Sequence, residues 1–236
     1  YFDAIALSNA GVRNVVASMG TALPAEQLAI AAEMGNVPGG RIILCMDSDD
    51  AGQNAVERLC SSNILSKVPN LNRNELYVAT LPSPSDDASA GEEGQVKDPS
   101  DYVARYASDA GTRFHQEVLR PAVAWDEWYV ARILSRHRTD AKDGTPGSFS
   151  ALCEEVAAFL ATFSNPAART RRVTKIGGRL VDLIEREEAE RRSRGGDGPE
   201  RTRRSASARG MLRVQLESDL LNMSARRAGV REALAR

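Results

Sequence analysis

The chain has 236 residues, 42% of them hydrophobic and 27% charged, with a formal net charge of −1. That length supports one large core or two smaller ones without staples, and the ordinary hydrophobic fraction excludes a wholly disordered chain while leaving room for long polar segments. No apolar run reaches the length of a membrane span, and no basic-then-apolar start resembles a secretory signal, so no membrane partner is expected.

The balanced total conceals a segregation: acids gather around residues 86 to 101, and arginines dominate from Arg169 onward. Such separation points to an anionic partner. Cys45, Cys60 and Cys153 are odd in number and widely spaced, with no Cys-x-x-Cys pair. They read as buried thiols of a reducing compartment, with no zinc site. The first residue is Tyr1 and not Met, so the chain is read as a fragment or an incomplete gene product.

Tyr1 to Ala10 reads as a short helix closed by Gly11, and Val12 to Ala17 as a strand. Ser18-Met19-Gly20-Thr21-Ala22 is a glycine-containing turn. Leu23 to Glu33 is a helix entered through Pro24, and Val37-Pro38-Gly39-Gly40 leads into the next strand. That strand, Ile42 to Met46, is short, apolar and partly β-branched, which suits burial on both faces of a parallel sheet. The alternation of helix and strand implies crossover helices and an α/β fold.

The apolar run stops at Asp47 and Asp49. Positions two apart on an extended chain share a side, with α-carbons about 6.6 Å apart, so both carboxylates can lean toward one point. Left alone they repel, and a divalent cation removes the cost. Mg²⁺ suits the pair because it takes hard oxygen ligands and keeps room for waters and phosphates. Ligands of open α/β sheets also bind beyond the carboxyl ends of the strands. The alternative from the same residues is a turn and a helix cap, with Asp50 as the cap and Ala51 to Leu59 as the helix.

Glu75 to Leu81 is predicted as a further strand, and residues 83 to 96 as a flexible polar insertion. Asp98, before Pro99, is placed to cap a helix running to about Ala107. From Thr112 the period turns helical. Trp125, Trp128, Tyr129 and Ile133 mark one helix face; Phe149, Leu152, Val156, Phe159, Leu160 and Phe163 mark another, and both read as packing core. Thr139 to Ser148 is the loop between them. A third helix, with Ile176, Leu180 and Leu183, carries Arg169, Arg171, Arg172, Lys175 and Arg179. Such arginines are either a solvated face or a grip on phosphate. Arg191 to Arg209 reads as low-complexity and disordered, with a return to helix from Met211 to Leu221. His115 and His137 have no spacing that suggests a ligand pair or a dyad.

Three stretches, Tyr1-Phe2-Asp3, Ala17-Ser18-Met19-Gly20-Thr21-Ala22 and Met46-Asp47-Ser48-Asp49-Asp50-Ala51-Gly52, resemble in order and spacing the Toprim region of bacterial-type DnaG DNA primases. Lys97-Asp98-Pro99-Ser100-Asp101 resembles the acidic motif that follows in that family. The likeness covers the first 110 residues or so, then continues more loosely as a helical subdomain to Ile184, best from Asn165-Pro166 to Leu180. Asp-x-Asp alone is shared with topoisomerases, primase-helicases and some nucleases; the Gly-Thr-Ala and Asp-Ser-Asp-Asp-Ala-Gly stretches point to the primase branch.

The resemblance implies a Toprim catalytic domain over 1–110, incomplete at its N-terminus, a helical subdomain over 111–190 and a basic low-complexity tail over 191–236. It implies a primase that makes short RNA primers on single-stranded DNA for replication. Asp47, Asp49 and Asp98 would be catalytic and hold Mg²⁺, with Mn²⁺ as substitute, supported by Asp3 and Asp101. Ribonucleoside triphosphates, template and nascent primer are the implied substrates and a replicative helicase the implied partner. Arg169, Arg171, Arg172 and Lys175 are weaker candidates for nucleic-acid contact. The compartment is intracellular, either bacterial cytoplasm or a eukaryotic organelle such as the plastid.

Two departures matter. The family carries a glutamate just before the Gly-Tyr of the first motif, which falls upstream of Tyr1, so this fragment alone is expected to be inactive. It usually has a second Asp where Ser100 stands. The family's zinc module and basic N-terminal subdomain are absent as well. The alternatives are another Toprim enzyme, a topoisomerase or nuclease, or an inactive nucleic-acid-binding or helicase-contacting remnant.

Overall fold

The computed structural model describes residues 1–18, 20, 23–35, 40–61, 65, 68, 71, 76–82, 96–106, 109–140, 148–163, 165–194 and 206–234. Most of the polar insertion at 83–96, the loop at 36–39, Met19 with Thr21 and Ala22, and residues 195–205 of the arginine-rich stretch lie outside the described residues. The chain forms two compact units, Tyr1–Tyr129 and Val130–Arg236.

In the first unit, α1 (Phe2–Asn9) ends as expected at a glycine: Gly11 has φ +98°. Val12 N donates to Leu7 O at 2.9 Å and Gly11 N to Ser8 O at 3.1 Å. This reciprocal pair is a Schellman closure, and Leu7 and Val12 enter the same core cluster, as such a closure favours. Val12 to Ala17, expected as a strand, is not one. Val12 is committed to the helix closure, and Val16 is 70% exposed. A strand needs a neighbouring ladder to take its backbone groups, and none pairs with this segment among the described residues.

Then come α2 (Ala25–Met34), β1 (Ile42–Cys45), α3 (Asp50–Ser61) and β2 (Leu76–Ala79). β1 and β2 run parallel in the register Ile42↔Leu76 to Cys45↔Ala79, as a crossover through α3 requires. β1 was expected to be buried on both faces. Only Leu44 is buried, at 8% exposure, because β1 is an edge of the described sheet.

After α4 (Pro99–Tyr106) and α5 (Ala110–Phe114) a π-helical turn covers His115–Leu119. The chain then makes β3 (Val123–Ala124), antiparallel to β2 through Tyr77↔Ala124 and Val78↔Val123. The sheet is therefore mixed, in the order β1-β2-β3, and the residues past 110 that read as purely helical return to it before α6 (Trp125–Asp140) begins.

One core cluster holds the first unit's site elements: Leu7 of α1, Ala79 and Leu81 at the end of β2, Val96, Tyr102 of α4, Phe114 and Val118. Tyr102 is fully buried and donates to Glu117 Oε2 at 2.6 Å, tying α4 to the π-helical turn. A β-carbon on Gly111 would stand 1.9 Å from Ala10 O, so the start of α5 meets the end of α1 backbone to backbone.

The second unit is helical: the rest of α6, α7 (Ser148–Leu160), α8 (Pro166–Arg194) and α9 (Ala206–Leu234). Ile133 is buried here, as Trp125, Trp128 and Tyr129 are at the end of the first unit; Leu152, Val156, Phe159, Leu160 and Phe163 are buried too, so these residues of both stripes are core, while the Phe149 side chain lies outside what is described. The terminal segment differs from the expected short helix in a basic tail. α9 spans 29 residues and buries Leu216, Leu220 and Ala228. It runs antiparallel to α8: Arg209 pairs with Asp182 at 2.7 Å, and Arg213 donates to Thr174 O at 2.8 Å. The apolar positions at helical spacing bury only because α7 and α8 are there to receive them. Among the described residues no helix is long and apolar enough to cross a membrane.

Candidate functional site

Asp47 follows β1, and the chain turns into α3 within three residues. The helix cap is Asp49, not the expected Asp50: Asp49 Oδ1 accepts from Gly52 N at 2.8 Å and Asp49 O from Gln53 N at 3.0 Å. Asp50 is instead the first helical residue. This is the N-cap to N3 geometry that satisfies one orphan amide of a helix start. It leaves Asp49 Oδ2 without a hydrogen bond among the described residues.

Gly52 is required here for a second reason. A β-carbon at Gly52 would stand 2.4 Å from Asp47 O and 2.9 Å from Asp47 N, so α3 folds directly back onto the Asp47 peptide. In the sequence Gly52 stands only as the last residue of the Met46 to Gly52 stretch. The available signal was a poor helix former in the first turn of a helix.

Ser48 joins this loop to the segment entering α4. Its amide donates to Lys97 O at 2.8 Å, and its hydroxyl lies 3.1 Å from both Val96 O and Lys97 O. These contacts bring Asp98 toward Asp47 across about fifty residues of chain.

Asp98 caps α4 as expected. Its Oδ1 accepts from Asp101 N at 2.7 Å, its carbonyl accepts from Tyr102 N at 3.2 Å, and Pro99 takes the first helical position. Asp101 Oδ2 reaches back to Lys97 N at 3.1 Å. Asp3, in the first turn of α1, accepts at Oδ1 from Ser100 N at 3.2 Å and from Ser100 Oγ at 2.6 Å. The same Oγ lies 2.9 Å from Asp98 Oδ1.

Asp49, Asp98, Asp101 and Asp3 thus each commit one oxygen to nearby polar groups. Asp47 commits neither to any described residue. Its carboxyl is held above its ordinary value of 3.8, first by desolvation and then by the charges of Asp3, Asp49, Asp98 and Asp101. The neighbouring Cys45 thiol is pushed up to about 12, by burial first and then by Asp3 and Asp47. The loops converge on a region of concentrated, uncompensated negative charge.

The donor chemistry fits a hard divalent cation. Every group is a carboxylate, with a free second oxygen on Asp49 and Asp98 and two on Asp47. Among the described residues no three His, Cys, Asp or Glu side chains close around a single point. A cation here would therefore be held by few protein oxygens and complete its shell with water or substrate oxygens, as Mg²⁺ commonly does.

The basic candidates lie in the second unit. Arg169 is 9% exposed and donates from Nη1 to Phe163 O at 2.6 Å. Arg172 is half-buried, donates to Ala168 O at 3.2 Å and stacks 4.0 Å from the centre of the Phe163 ring. Arg171 and Lys175 are exposed. In the helical unit His137 Nε2 lies 2.9 Å from Glu155 Oε2, and Arg136 pairs with the same carboxylate.

Residues 1–71 match the Toprim domain. The chain is 27% identical over 180 residues to a DNA primase of Synechococcus elongatus, an alignment that covers 76% of this chain and 22% of that protein. It is 33% identical over 137 residues to a DNA primase of Campylobacter jejuni, covering 58% of this chain and 18% of the relative. A DNA primase of Synechocystis sp. is 26% identical over 136 residues, covering 58% and 19%. The chain spans about a fifth of the length of these relatives.

Proposed function

We propose that this chain, which carries a Toprim domain and is homologous to bacterial DnaG DNA primases, supplies the metal-holding part of a primase that joins ribonucleotides on a single-stranded DNA template. The observation that carries the reading is Asp47: a carboxylate without a described protein partner, in the field of four other aspartates, at the carboxyl end of a parallel strand. Self-repulsion of this kind is a standing cost unless a cation or its ligand removes it.

A bound Mg²⁺, or Mn²⁺ in its place, would supply charge neutralisation at the triphosphate and the attacking 3′-oxygen, the main requirement of phosphoryl transfer. Asp47, Asp49 and Asp98 are the residues to hold it. Asp49 and Asp98 are oriented by their caps, so each presents its second oxygen from a fixed start of a helix. Gly52 and Ser48 hold the Asp47 loop against α3 and against the 96–97 segment. Asp3 and Asp101 add charge from the flanks. In this reading the substrates are ribonucleoside triphosphates, template and nascent primer, with Arg171 and Lys175 as exposed candidates for backbone contact and a replicative helicase as partner.

The test is Asp47→Ala in the intact polypeptide, assayed for ribonucleotide incorporation on single-stranded DNA and for Mn²⁺ binding. Both are expected to be lost while far-ultraviolet circular dichroism is unchanged. Primer synthesis that survives the substitution refutes the reading. Metal-dependent strand cleavage by the unsubstituted protein, without primer synthesis, assigns the site to a nuclease or topoisomerase instead.

A further inference from the structure

We infer that Ser100 is a positioning residue of the acidic site, whose hydroxyl sets the Asp3 and Asp98 carboxylates for a divalent cation; this rests on the metal-holding role proposed above. Its Oγ lies 2.6 Å from Asp3 Oδ1 and 2.9 Å from Asp98 Oδ1. A serine hydroxyl has one proton to donate and two lone pairs. Two anionic oxygens therefore meet around a single donor proton, and the hydroxyl is the group that lets two like charges approach.

The two acids come from unrelated places. Asp98 is the cap of α4, whereas Asp3 sits on α1, 97 residues from Ser100 along the chain. Among the described residues Ser100 is the only hydrogen-bond partner of the Asp3 side chain, through both its amide and its hydroxyl, and both bonds fall on Oδ1. Asp98 Oδ1 is likewise held by Asp101 N and by the Ser100 hydroxyl. With one oxygen of each acid fixed, rotation about each carboxyl is restricted, Oδ2 of Asp98 is left for a cation and the charge of Asp3 is held beside it.

A hydroxyl at this position contributes order where another carboxylate would contribute charge. Metal affinity at the site should then depend on the Ser100 hydroxyl more than the protein's stability does. Groups that orient metal ligands typically alter affinity by about 10- to 100-fold when removed.

The experiment measures Mn²⁺ dissociation constants by electron paramagnetic resonance on the intact polypeptide, with a urea denaturation midpoint taken for each variant. Ser100→Ala is expected to weaken Mn²⁺ binding about tenfold or more, and Ser100→Thr, which keeps the hydroxyl, to restore most of it. Should alanine disturb the fold, Ser100→Cys keeps the volume, donates only weakly and is expected to show the same loss. If Ser100 acts through Asp3, the Asp3→Asn and Ser100→Ala losses are non-additive in the double variant. Unchanged Mn²⁺ affinity in Ser100→Ala, or failure of Thr to rescue it, overturns the role of Ser100 and leaves the metal reading intact. An unsubstituted protein that does not bind Mn²⁺ overturns both.

Discussion

Replacing Gly52 with alanine sets two magnitudes against each other at one atom. In an exposed helix interior alanine is better than glycine by about 1 kcal/mol. At Gly52 the added methyl would stand 2.4 Å from Asp47 O and 2.9 Å from Asp47 N, roughly 1 Å inside ordinary contact for the closer atom. Both obstructing atoms are backbone, so relief requires moving the Asp47 peptide or tilting the start of α3. Overpacking of this kind costs about 1–3 kcal/mol, and the helix preference of about 1 kcal/mol offsets part of it, leaving a net loss of up to about 2 kcal/mol. The thermal midpoint should fall by about 2–4 °C per kcal/mol. Mn²⁺ affinity should fall with it, because the displaced peptide carries the Asp47 carboxylate. The controls are Gly210→Ala and Gly229→Ala in α9, where a β-carbon meets nothing within 4 Å and the same substitution should stabilise by up to about 1 kcal/mol. Circular dichroism melts of the three variants decide the matter. A Gly52→Ala protein that melts at or above the parent, with parent-like Mn²⁺ binding, refutes the claim that α3 is seated on the Asp47 backbone.

Asp47→Asn should raise the midpoint of the metal-free protein at neutral pH while abolishing the midpoint increase that Mn²⁺ gives the parent. A carboxyl held above its ordinary value of 3.8 binds its proton more tightly in the folded state. Its contribution to stability is therefore complete below that value and is lost as pH rises through the raised one. Calorimetry across this range without metal should show a steeper decline for the parent than for the Asn variant, and equal slopes would contradict the sign. In the second unit, Arg169→Ala should cost about 2 kcal/mol, because a charged donor to a buried carbonyl is removed, as read by urea denaturation. Arg171→Ala should stay within about 0.5 kcal/mol of the parent and instead reduce the salt dependence of single-stranded DNA binding by about one counterion. Stability losses of equal size in the two variants would remove the distinction between a packing and a surface arginine.

Much of the fold was legible because its cause is local. Gly11 closes α1 by a backbone geometry that glycine adopts freely; Asp98 before Pro99 starts α4; the Trp125 to Ile133 stripe has the period of a helix face. Asp47 and Asp49 stand beyond the end of β1 in the bend that leads into α3, so the extended-strand geometry read from their spacing is replaced by the helix cap at Asp49. What the tertiary structure decided depends on partners far away in the chain. Val12 to Ala17 has a strand-like sequence but, among the described residues, no ladder to join, and Val12 serves the helix closure instead. Val123–Ala124 becomes a strand only because β2 offers an edge. The terminal helix extends to 29 residues because α7 and α8 cover its apolar face, and Arg169 turns inward because Phe163 presents a carbonyl to it. The meeting of Asp3 with Asp98 through Ser100, and of Gly52 with the Asp47 peptide, likewise required the packed core. Periodicity and capping act over three or four residues, whereas a core brings together side chains whose separation along the chain carries no pattern to read.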